Sequence, residues 1–228
     1  VTASDNCGYY SLIMSDNMMG GACASESMIE RTWIARDTCG NADTVTITIA
    51  IVDTISPVVQ VPADTMIYCT ADTSVANLGD AIATDNCGMP ALGHINQIIP
   101  GSCPQEYTIR RIWTAVDACL HVTMDTQLIQ IIDTVAPILV TPPIDTTIEC
   151  DEMTMSLLQS FLDRHGNAMA TDECGAAVTW TYRYMVVPNA CDPSGSNTFP
   201  VTFIYMDECG NQDSAMSMIT IVDTRPPT

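Results

Sequence analysis

Internal repetition is the feature that most constrains the fold of this chain. Short cysteine- and aspartate-bearing motifs recur in a fixed order, which is typical of tandem-repeat architectures. The first motif is Asp-Asn-Cys-Gly at 5–8 and 85–88, and Asp-Glu-Cys-Gly at 172–175. The second is Asp-Thr-Cys-Gly-Asn at 37–41, Asp-Ala-Cys-Leu-His at 117–121 and Asp-Glu-Cys-Gly-Asn at 207–211. The spacing predicts successive copies of one structural module.

Two further motifs set the phase of the repeat. Val-Asp-Thr or Ile-Asp-Thr ends each copy, at 52–54, 132–134 and 222–224. Asp-Thr-x-Ile-x-Cys occurs at 64–69 and 145–150, and no copy of it stands ahead of the first repeat. We therefore expect a partial repeat without its N-terminal strands at 1–56, a complete repeat at 57–136, and a third at 137–228 that includes a C-terminal linker.

The local patterns within a repeat are those of short β-strands. Residues 44–49 alternate threonine with β-branched apolar residues, the period of a half-buried strand. Prolines at the start of each complete repeat fit edges and linkers, and Trp33, Trp113 and Phe203 fall at one phase, as core aromatics would. Residues 155–166 have helical spacing and end at Gly166. The predicted fold class is all-β: tandem immunoglobulin-like β-sandwich domains with one short helix in the third repeat.

Composition narrows the choice of partners. Asp and Glu number 27 against 7 Lys and Arg, for a net charge of −20. Such a chain repels the phosphates of nucleic acids, and its sequence contains no apolar run of the roughly 20 residues that a membrane helix needs. We therefore expect no nucleic-acid partner and no membrane span. The 11 cysteines, without any Cys-x-x-Cys pair, indicate disulfides and an extracellular or cell-surface location.

The motifs resemble the hyalin-repeat-like, immunoglobulin-like tandem modules of large bacterial secreted and cell-surface proteins, many with gliding-motility-type sorting domains. The resemblance lies in Ala-Thr-Asp-Asn-Cys-Gly at 83–88, Pro-Gly-Ser-Cys-Pro-Gln-Glu-Tyr-Thr-Ile-Arg at 100–110 and Asp-Thr-Val-Ala-Pro at 133–137. It implies roles as stalks, spacers and adhesins. One departure is Cys119-Leu120-His121, which replaces the usual Cys-Gly-Asn turn and puts the turn geometry in doubt.

Each complete repeat has four cysteines, which allow three pairings. An immunoglobulin-like topology would bring the Asp-Asn-Cys-Gly and Asp-x-Cys-Gly-Asn loops to one end of the sandwich. The disulfides predicted on that basis are Cys7–Cys39, Cys87–Cys119 and Cys174–Cys209, with Cys69–Cys103 and Cys150–Cys191 for the remaining cysteines. Cys23 is then expected to be unpaired or intermolecular, either because the chain is a fragment or because a neighbouring molecule supplies the missing strands.

The same loops carry candidate calcium ligands. These are Asp5, Asp37, Asp85, Asp117, Asp172 and Asp207, while Asp53, Asp133 and Asp223 mark the linkers. Calcium takes six to eight oxygen ligands, and linker carboxylates could stiffen a tandem array. The alternative is that these side chains only cap turns.

O-linked glycans are a further expectation. An Asp-Ser/Thr triplet that resembles an O-glycosylation signal occurs at Thr44, Thr54, Thr65, Thr134, Thr146 and Ser214. The alternative is that Asp-Thr is simply the usual sequence of these strand starts and linkers.

These observations favour a non-enzymatic structural protein, the repeat unit of a surface stalk, fibre or filament. Completion of the partial first domain could link copies head to tail, so the predicted partner is the chain itself. An alternative function is an adhesin that recognises glycans or surfaces through exposed tyrosines. Catalysis finds no support, because His94, His121 and His165 lie at unrelated phases and no nucleophile or metalloprotease motif is present.

Overall fold

A computed structural model describes residues 1–6, 8–151, 154–185 and 196–225, without the side chain of Ser196. The chain is mostly β, with 53% strand and 8% helix, so the predicted all-β class is confirmed. It forms two compact units. One comprises 1–63, 74–97 and 111–127, and the other comprises 64–73, 98–110 and 128–228. The predicted repeat boundaries do not coincide with these units and stay a prediction.

The first repeat is an antiparallel three-stranded sheet. Its strands, in the order β1-β2-β3, are Tyr10–Gly20, Ser27–Asp37 and Ala42–Ile51. A hairpin joins β2 to β3 through Gly40, whose φ of 94° lies in the left-handed region that glycine adopts without strain. Trp33 pairs with Val45 across the two strands. The alternating pattern thus produced the expected strands.

The second repeat adds short strands ahead of the equivalent long ones. Its elements are β4 (Val58–Gln60), β5 (Thr65–Tyr68), α1 (Val75–Leu78), β6 (Ile82–Thr84), β7 (Ala91–Pro100), β8 (Tyr107–Val116) and β9 (Val122–Ile132). β4 pairs with β6, and a four-stranded sheet has the order β5-β9-β8-β7. β5 joins β9 in parallel, with Thr65 opposite Ile129 and Tyr68 opposite Ile132.

The third repeat has the same plan. Its strands are β10 (Ile138–Thr141), β11 (Thr146–Glu149), β12 (Met169–Thr171), β13 (Thr179–Tyr184), β14 (Ser196–Met206) and β15 (Gln212–Val222). β10 pairs with β12, and the larger sheet has the order β11-β15-β14-β13. Its core contains Ile148, Leu158, Leu162, Phe199, Val201, Phe203, Ile219 and Ile221. The inward positions of β14 and β15 recur every second residue, as the strand period requires.

The predicted helix of the third repeat is present as α2, Thr154–Asp163. Leu158 and Leu162 are buried, because residues four apart share one face of a helix. Gly166 follows in a short 3-10 turn with φ of 63°, where a Cβ atom would lie 3.0 Å from Pro143 Cβ and 3.1 Å from Phe161 Cζ. Both the backbone conformation and the close approach therefore require glycine.

Helix α1, a single helical turn at the equivalent place in the second repeat, was not predicted from the sequence. The geometry of the Cys119-Leu120-His121 turn could not be predicted either. In the structure the turn is retained, and Leu120 takes the left-handed conformation with φ of 69°, close to the 89° of Gly210. The hydrogen bonds of Asp117 to the backbone of Cys119 and His121 hold the turn in the absence of glycine.

No helix among the described residues is long and apolar enough to span a bilayer.

Candidate functional site at the repeat junctions

Among the described residues, one disulfide joins the first repeat to the second, and two join the second repeat to the third. Cys23 is bonded to Cys119, Cys69 to Cys174, and Cys103 to Cys209. Their Cα–Cα distances of 5.0, 5.6 and 5.1 Å are those of ordinary disulfides. Each bond therefore links a cysteine of one copy of the module to a loop cysteine of the following copy.

Four of the five predicted pairings within repeats are contradicted by the structure. Cys87–Cys119, Cys174–Cys209 and Cys69–Cys103 do not form, and Cys23, expected to lack a partner, is bonded to Cys119. Among the described cysteines, Cys39 and Cys87 are the free ones. The free state of Cys39 contradicts the predicted Cys7–Cys39 bond, although Cys7 itself lies outside the described residues. Cys150 is disulfide-bonded, and its predicted partner Cys191 also lies outside them, so that pair stays a prediction.

The physical reason for the error is that loops at one end of a sandwich meet the neighbouring module, as well as each other. A signal for this was present in the sequence. Cys23 and Cys103 share a Gly-x-Cys context, as do Cys119 and Cys209 an Asp-x-Cys context. Pairing across one repeat gives the surplus Cys23 a partner, whereas pairing within a repeat leaves it alone.

The aspartates of the Asp-x-Cys turns cap those turns, as one of the two interpretations predicted. Asp207 Oδ1 accepts hydrogen bonds from the backbone of Cys209 at 2.8 Å and Asn211 at 2.9 Å. Its Oδ2 accepts one from Asn211 Nδ2 at 2.9 Å. Asp37 with Asn41 repeats this arrangement, and the Asn41 side chain lowers the pKa of Asp37. Such bonds fix the turn independently of any metal.

In the second unit, three carboxylates converge beside the Cys69–Cys174 disulfide. Ligand oxygens of Asp133, Asp172 and Asp207 lie within 4.8 Å of one another. Asp133 is 3% exposed and Asp207 is 2% exposed. Asp133 Oδ1 accepts a bond from the backbone of Val135, whereas its Oδ2 is buried without a hydrogen-bond partner among the described residues. Burial, together with the charges of Asp172, Asp207 and Glu106, raises the pKa of Asp133.

This cluster has the chemistry of a calcium site. A buried carboxylate oxygen without a partner is costly unless a cation or a donor compensates it. Oxygen-only ligands at this spacing suit calcium better than softer metals. Asp133 and Asp172 also line a cavity of about 180 Å³ with Cys69 and Cys174. The cluster combines the linker aspartate with one aspartate from each of the two loops that the sequence singled out.

The first unit holds a related cluster at the preceding junction. Asp53, the linker aspartate, is 4% exposed, and its Oδ2 is buried without a hydrogen-bond partner in the described ranges. It lies within 4.8 Å of Asp117 and His121, and equally of Asp85 and Cys87. His121 stands where Asn211 stands in the third repeat, and its Nδ1 is 2.8 Å from Asp117 Oδ2.

Electrostatics couples the two residues of this turn. The hydrogen bond that the Asp117 carboxylate accepts from the His121 ring raises the pKa of His121. Burial acts to raise the pKa of Asp117, but hydrogen bonds from His121 and from the backbone of Cys119 bring it below its ordinary value. Because histidine occupies one side of this cluster, it is a less suitable calcium site than that of the second unit.

The remaining predicted ligands, Asp5 and Asp37, line one shallow surface cavity with Tyr10 and Asn41. No linker aspartate is among the residues of that cavity. The third carboxylate of this cavity is that of the exposed Asp43 on β3, so the two ends of the described first repeat differ in that only the Asp53 end has a buried linker carboxylate.

The predicted O-glycosylation residues fall into two environments. Thr44, Thr54, Thr134 and Ser214 are exposed, whereas Thr65 and Thr146 are half-buried at the starts of β5 and β11. Asp43 Oδ1 accepts a hydrogen bond from the backbone of Thr44, and Asp213 does the same for Ser214. Asp-Thr therefore also serves as a local turn, and glycosylation stays a prediction.

Comparisons with known proteins show a sequence similarity to hyalin. No protein-family model matches it. It is 31% identical over 245 residues to hyalin from Strongylocentrotus purpuratus, covering 99% of this chain and 19% of hyalin. The chain thus spans about a fifth of the length of that relative.

Two solved structures are similar at low scores. They are the Drosophila N-cadherin EC1-4 structure (13% identity, 88% of this chain and 58% of that chain, TM-score 0.34) and the human desmocollin-1 ectodomain (11% identity, 88% and 48%, TM-score 0.30). At such scores the fold description rests on the strands themselves. The similarity to hyalin covers nearly the whole length of the chain.

Proposed function

We propose that this chain is a segment of an extracellular structural array, a stalk, fibre or filament, whose repeats are joined covalently at every junction. The observation that carries the proposal is the pairing of Cys23 with Cys119, Cys69 with Cys174, and Cys103 with Cys209. Disulfides of this number belong to oxidising compartments outside the cytosol. Bonds that run from one module to the next resist separation of the modules.

The mechanical consequence follows from how the three bonds overlap along the sequence. In an unfolded but oxidised chain, tension would pass from Val1 to Cys23, from Cys119 back to Cys103, and from Cys209 to Thr228. That path contains roughly 60 of the residues, which at about 3.3–3.6 Å each extend to roughly 200 Å. A reduced chain of 228 residues would extend to roughly 800 Å. The disulfides therefore prevent about three quarters of the extended length of the chain from being pulled out under load.

A single-molecule stretching experiment tests this role. The full chain, held by its two ends, is expected to reach its limiting extension near roughly 200 Å without reductant and near roughly 800 Å with it. The Cys39→Ser variant is the matched control, because Cys39 is free and should leave both lengths unchanged. Full extension without reductant would refute the proposal.

Calcium at the junctions is the second part of the proposal. Asp133, Asp172 and Asp207 would hold the ion and neutralise the buried Asp133 carboxylate. The ion would then stiffen the linker between the modules. The same reasoning applies more weakly to Asp53 with Asp85 and Asp117, because His121 shares that cluster.

Calorimetric titration with calcium chloride checks this part. Asp133→Asn is expected to remove one bound calcium per chain, because it takes a buried anionic ligand from the centre of the cluster. Asp43→Asn, which changes an exposed carboxylate on β3, should bind as the unchanged chain does. Unchanged titration of the Asp133→Asn variant would contradict a site at this junction.

Head-to-tail continuation, with the partial first domain completed by further strands, also belongs to this proposal, as do a bacterial surface origin and O-linked glycans.

The alternative, an adhesin with an exposed aromatic patch, is less well supported. Tyr182 and Tyr184 are half-buried, pack against the core of the third repeat, and have ring centroids 6.1 Å apart. Tyr9 and Tyr10 are exposed at 77% and 47%.

A further inference from the structure

The second repeat carries a free cysteine, Cys87, at a position that is bonded in the third. Cys174, in the Asp-Glu-Cys-Gly loop, is bonded to Cys69, which directly follows strand β5 of the preceding repeat. Cys87 occupies the equivalent loop of the second repeat and is free. Its partner would follow a β5-type strand belonging to the first repeat, and the described part of residues 1–56 contains no such strand.

The surroundings of Cys87 match those of the bonded cysteine. The sulfur of Cys174 lies within 4.8 Å of a carboxylate oxygen of Asp133, the linker aspartate of its junction. The sulfur of Cys87 stands in the same relation to Asp53. The loop is therefore already placed as it is in the bonded junction, with one sulfur missing from the pair.

The strand edge that would receive the missing segment is open. In the second repeat, β5 pairs in parallel with the end of β9, from Ile129 to Ile132. In the third, β11 pairs in the same way with the end of β15. The equivalent end of β3, at 49–52, has β2 as its pairing partner in the described sheet and no strand on its other side.

The face beneath that edge is apolar and uncovered. Ile51 is 45% exposed, whereas its equivalents Ile131 and Ile221 are 1% and 2% exposed. Ile47, on the same face, is 42% exposed. In the third repeat this face is covered in part by Ile148 of β11, which is 6% exposed. An apolar face of this kind beside an open strand edge is a site for strand addition.

We infer that the open edge and face of the first repeat bind the N-terminal half of another repeat of this type, and that its Asp-Thr-x-Ile-x-Cys cysteine forms a disulfide with Cys87. The inference rests on the proposed structural function and identifies the segment that would continue the array. One incoming segment would pair with the open strand edge, cover the apolar face and supply the partner of Cys87. Its strand pairs with β3, its isoleucine covers Ile51, and its cysteine follows the strand toward Asp53 and Cys87.

The bond requires a disulfide oxidant. Two thiols, Cys87 and the incoming cysteine, lose two protons and two electrons, which reduce one disulfide of the glutathione class to two thiols. In practice the Cys87 thiolate attacks the sulfur of an incoming mixed disulfide. The Cys87–Cys bond forms, the bond to glutathione breaks, and glutathione leaves as its thiolate.

A peptide of residues 57–84 is a direct probe, because it contains strands β4 to β6 and its single cysteine is Cys69. The peptide, prepared as its mixed disulfide with glutathione, is mixed with the full chain, and the products are mapped by mass spectrometry. Cys39 is exposed and Cys87 is half-buried, so undirected exchange would favour Cys39. Docking is expected to reverse this order and to label Cys87 at least about tenfold more than Cys39, a difference of about 1.4 kcal/mol. Equal labelling, or preference for Cys39, would overturn the inference.

Two peptide variants separate docking from chance reactivity. Ile67→Asp places a charge on the inward side of the strand, since Ile67 is equivalent to the buried Ile148. Met66→Asp places the same charge on the outward side, where Met66 is 58% exposed. We expect Ile67→Asp to lose the preference for Cys87 and Met66→Asp to keep it. Equal behaviour of the two variants would also overturn the inference, whereas the stretching experiment above does not depend on either result.

Discussion

The sheets of the first and third repeats are built from the same pattern of residues and differ in what covers them. Trp33 and Phe203 occupy equivalent positions, yet Trp33 is half-buried and Phe203 is fully buried. Ile51 and Ile221 differ in the same direction. The third repeat has β11 and helix α2 over this face, and the described first repeat has neither. The alternation of apolar and polar residues thus shows which side chains of a strand face inward, whereas the neighbouring strands determine whether those side chains are buried.

The largest expected effect comes from removing the equivalent aromatic side chains. Phe203→Ala should lower the free energy of unfolding of the second unit by about 3–5 kcal/mol, since it leaves a cavity in a closed core. Trp33→Ala should cost about 1 kcal/mol or less, because its surroundings already admit water. Denaturant titration with hydrogen exchange at β15 and β3 measures both. Equal losses would contradict the difference in burial between Trp33 and Phe203, whereas a larger loss for Trp33→Ala with the 57–84 peptide bound would show that added strands close this face.

A smaller effect is expected from the loop cysteines of the same two repeats. The double variant Cys103→Ser with Cys209→Ser should lose about 2–4 kcal/mol, because it releases a cross-link of sequence separation 106. Cys39→Ser, at the position equivalent to Cys209, should leave the stability of the isolated chain unchanged. Thermal unfolding of the two variants side by side makes the measurement. A comparable loss for Cys39→Ser would mean that the first repeat is already cross-linked.

The smallest expected effect concerns the turn glycines. Leu120→Gly should stabilise the second repeat by up to about 1 kcal/mol, because a left-handed conformation is unfavourable for leucine and ordinary for glycine. Gly210→Leu should destabilise the third repeat by about the same amount. Melting temperatures in one buffer compare the two exchanges. A loss on Leu120→Gly would show that the leucine side chain itself stabilises the turn.

Much of the fold could be predicted from local patterns. The alternation at 44–49 predicted β3, and the spacing of Leu158 and Leu162 predicted α2. The junction chemistry could be predicted only in part. The loop aspartates were identified as candidate ligands, but no local pattern shows that Asp133 is buried with an oxygen lacking a partner, because burial depends on segments distant in sequence. The prediction of the disulfide pairing was wrong for the same reason, because the cysteines that meet are distant in sequence.

The recurrence of the motifs, the alternation of strand β3 and the spacing of helix α2 could be recognised from the sequence, because each depends on residues close together along the chain. Which cysteines meet, which carboxylates share a buried space and which apolar face stays open became known only from the tertiary structure. Those outcomes depend on how one copy of the module contacts the next. Equivalent positions can therefore be bonded or buried, as at Cys174 and Ile221, and free or exposed, as at Cys87 and Ile51.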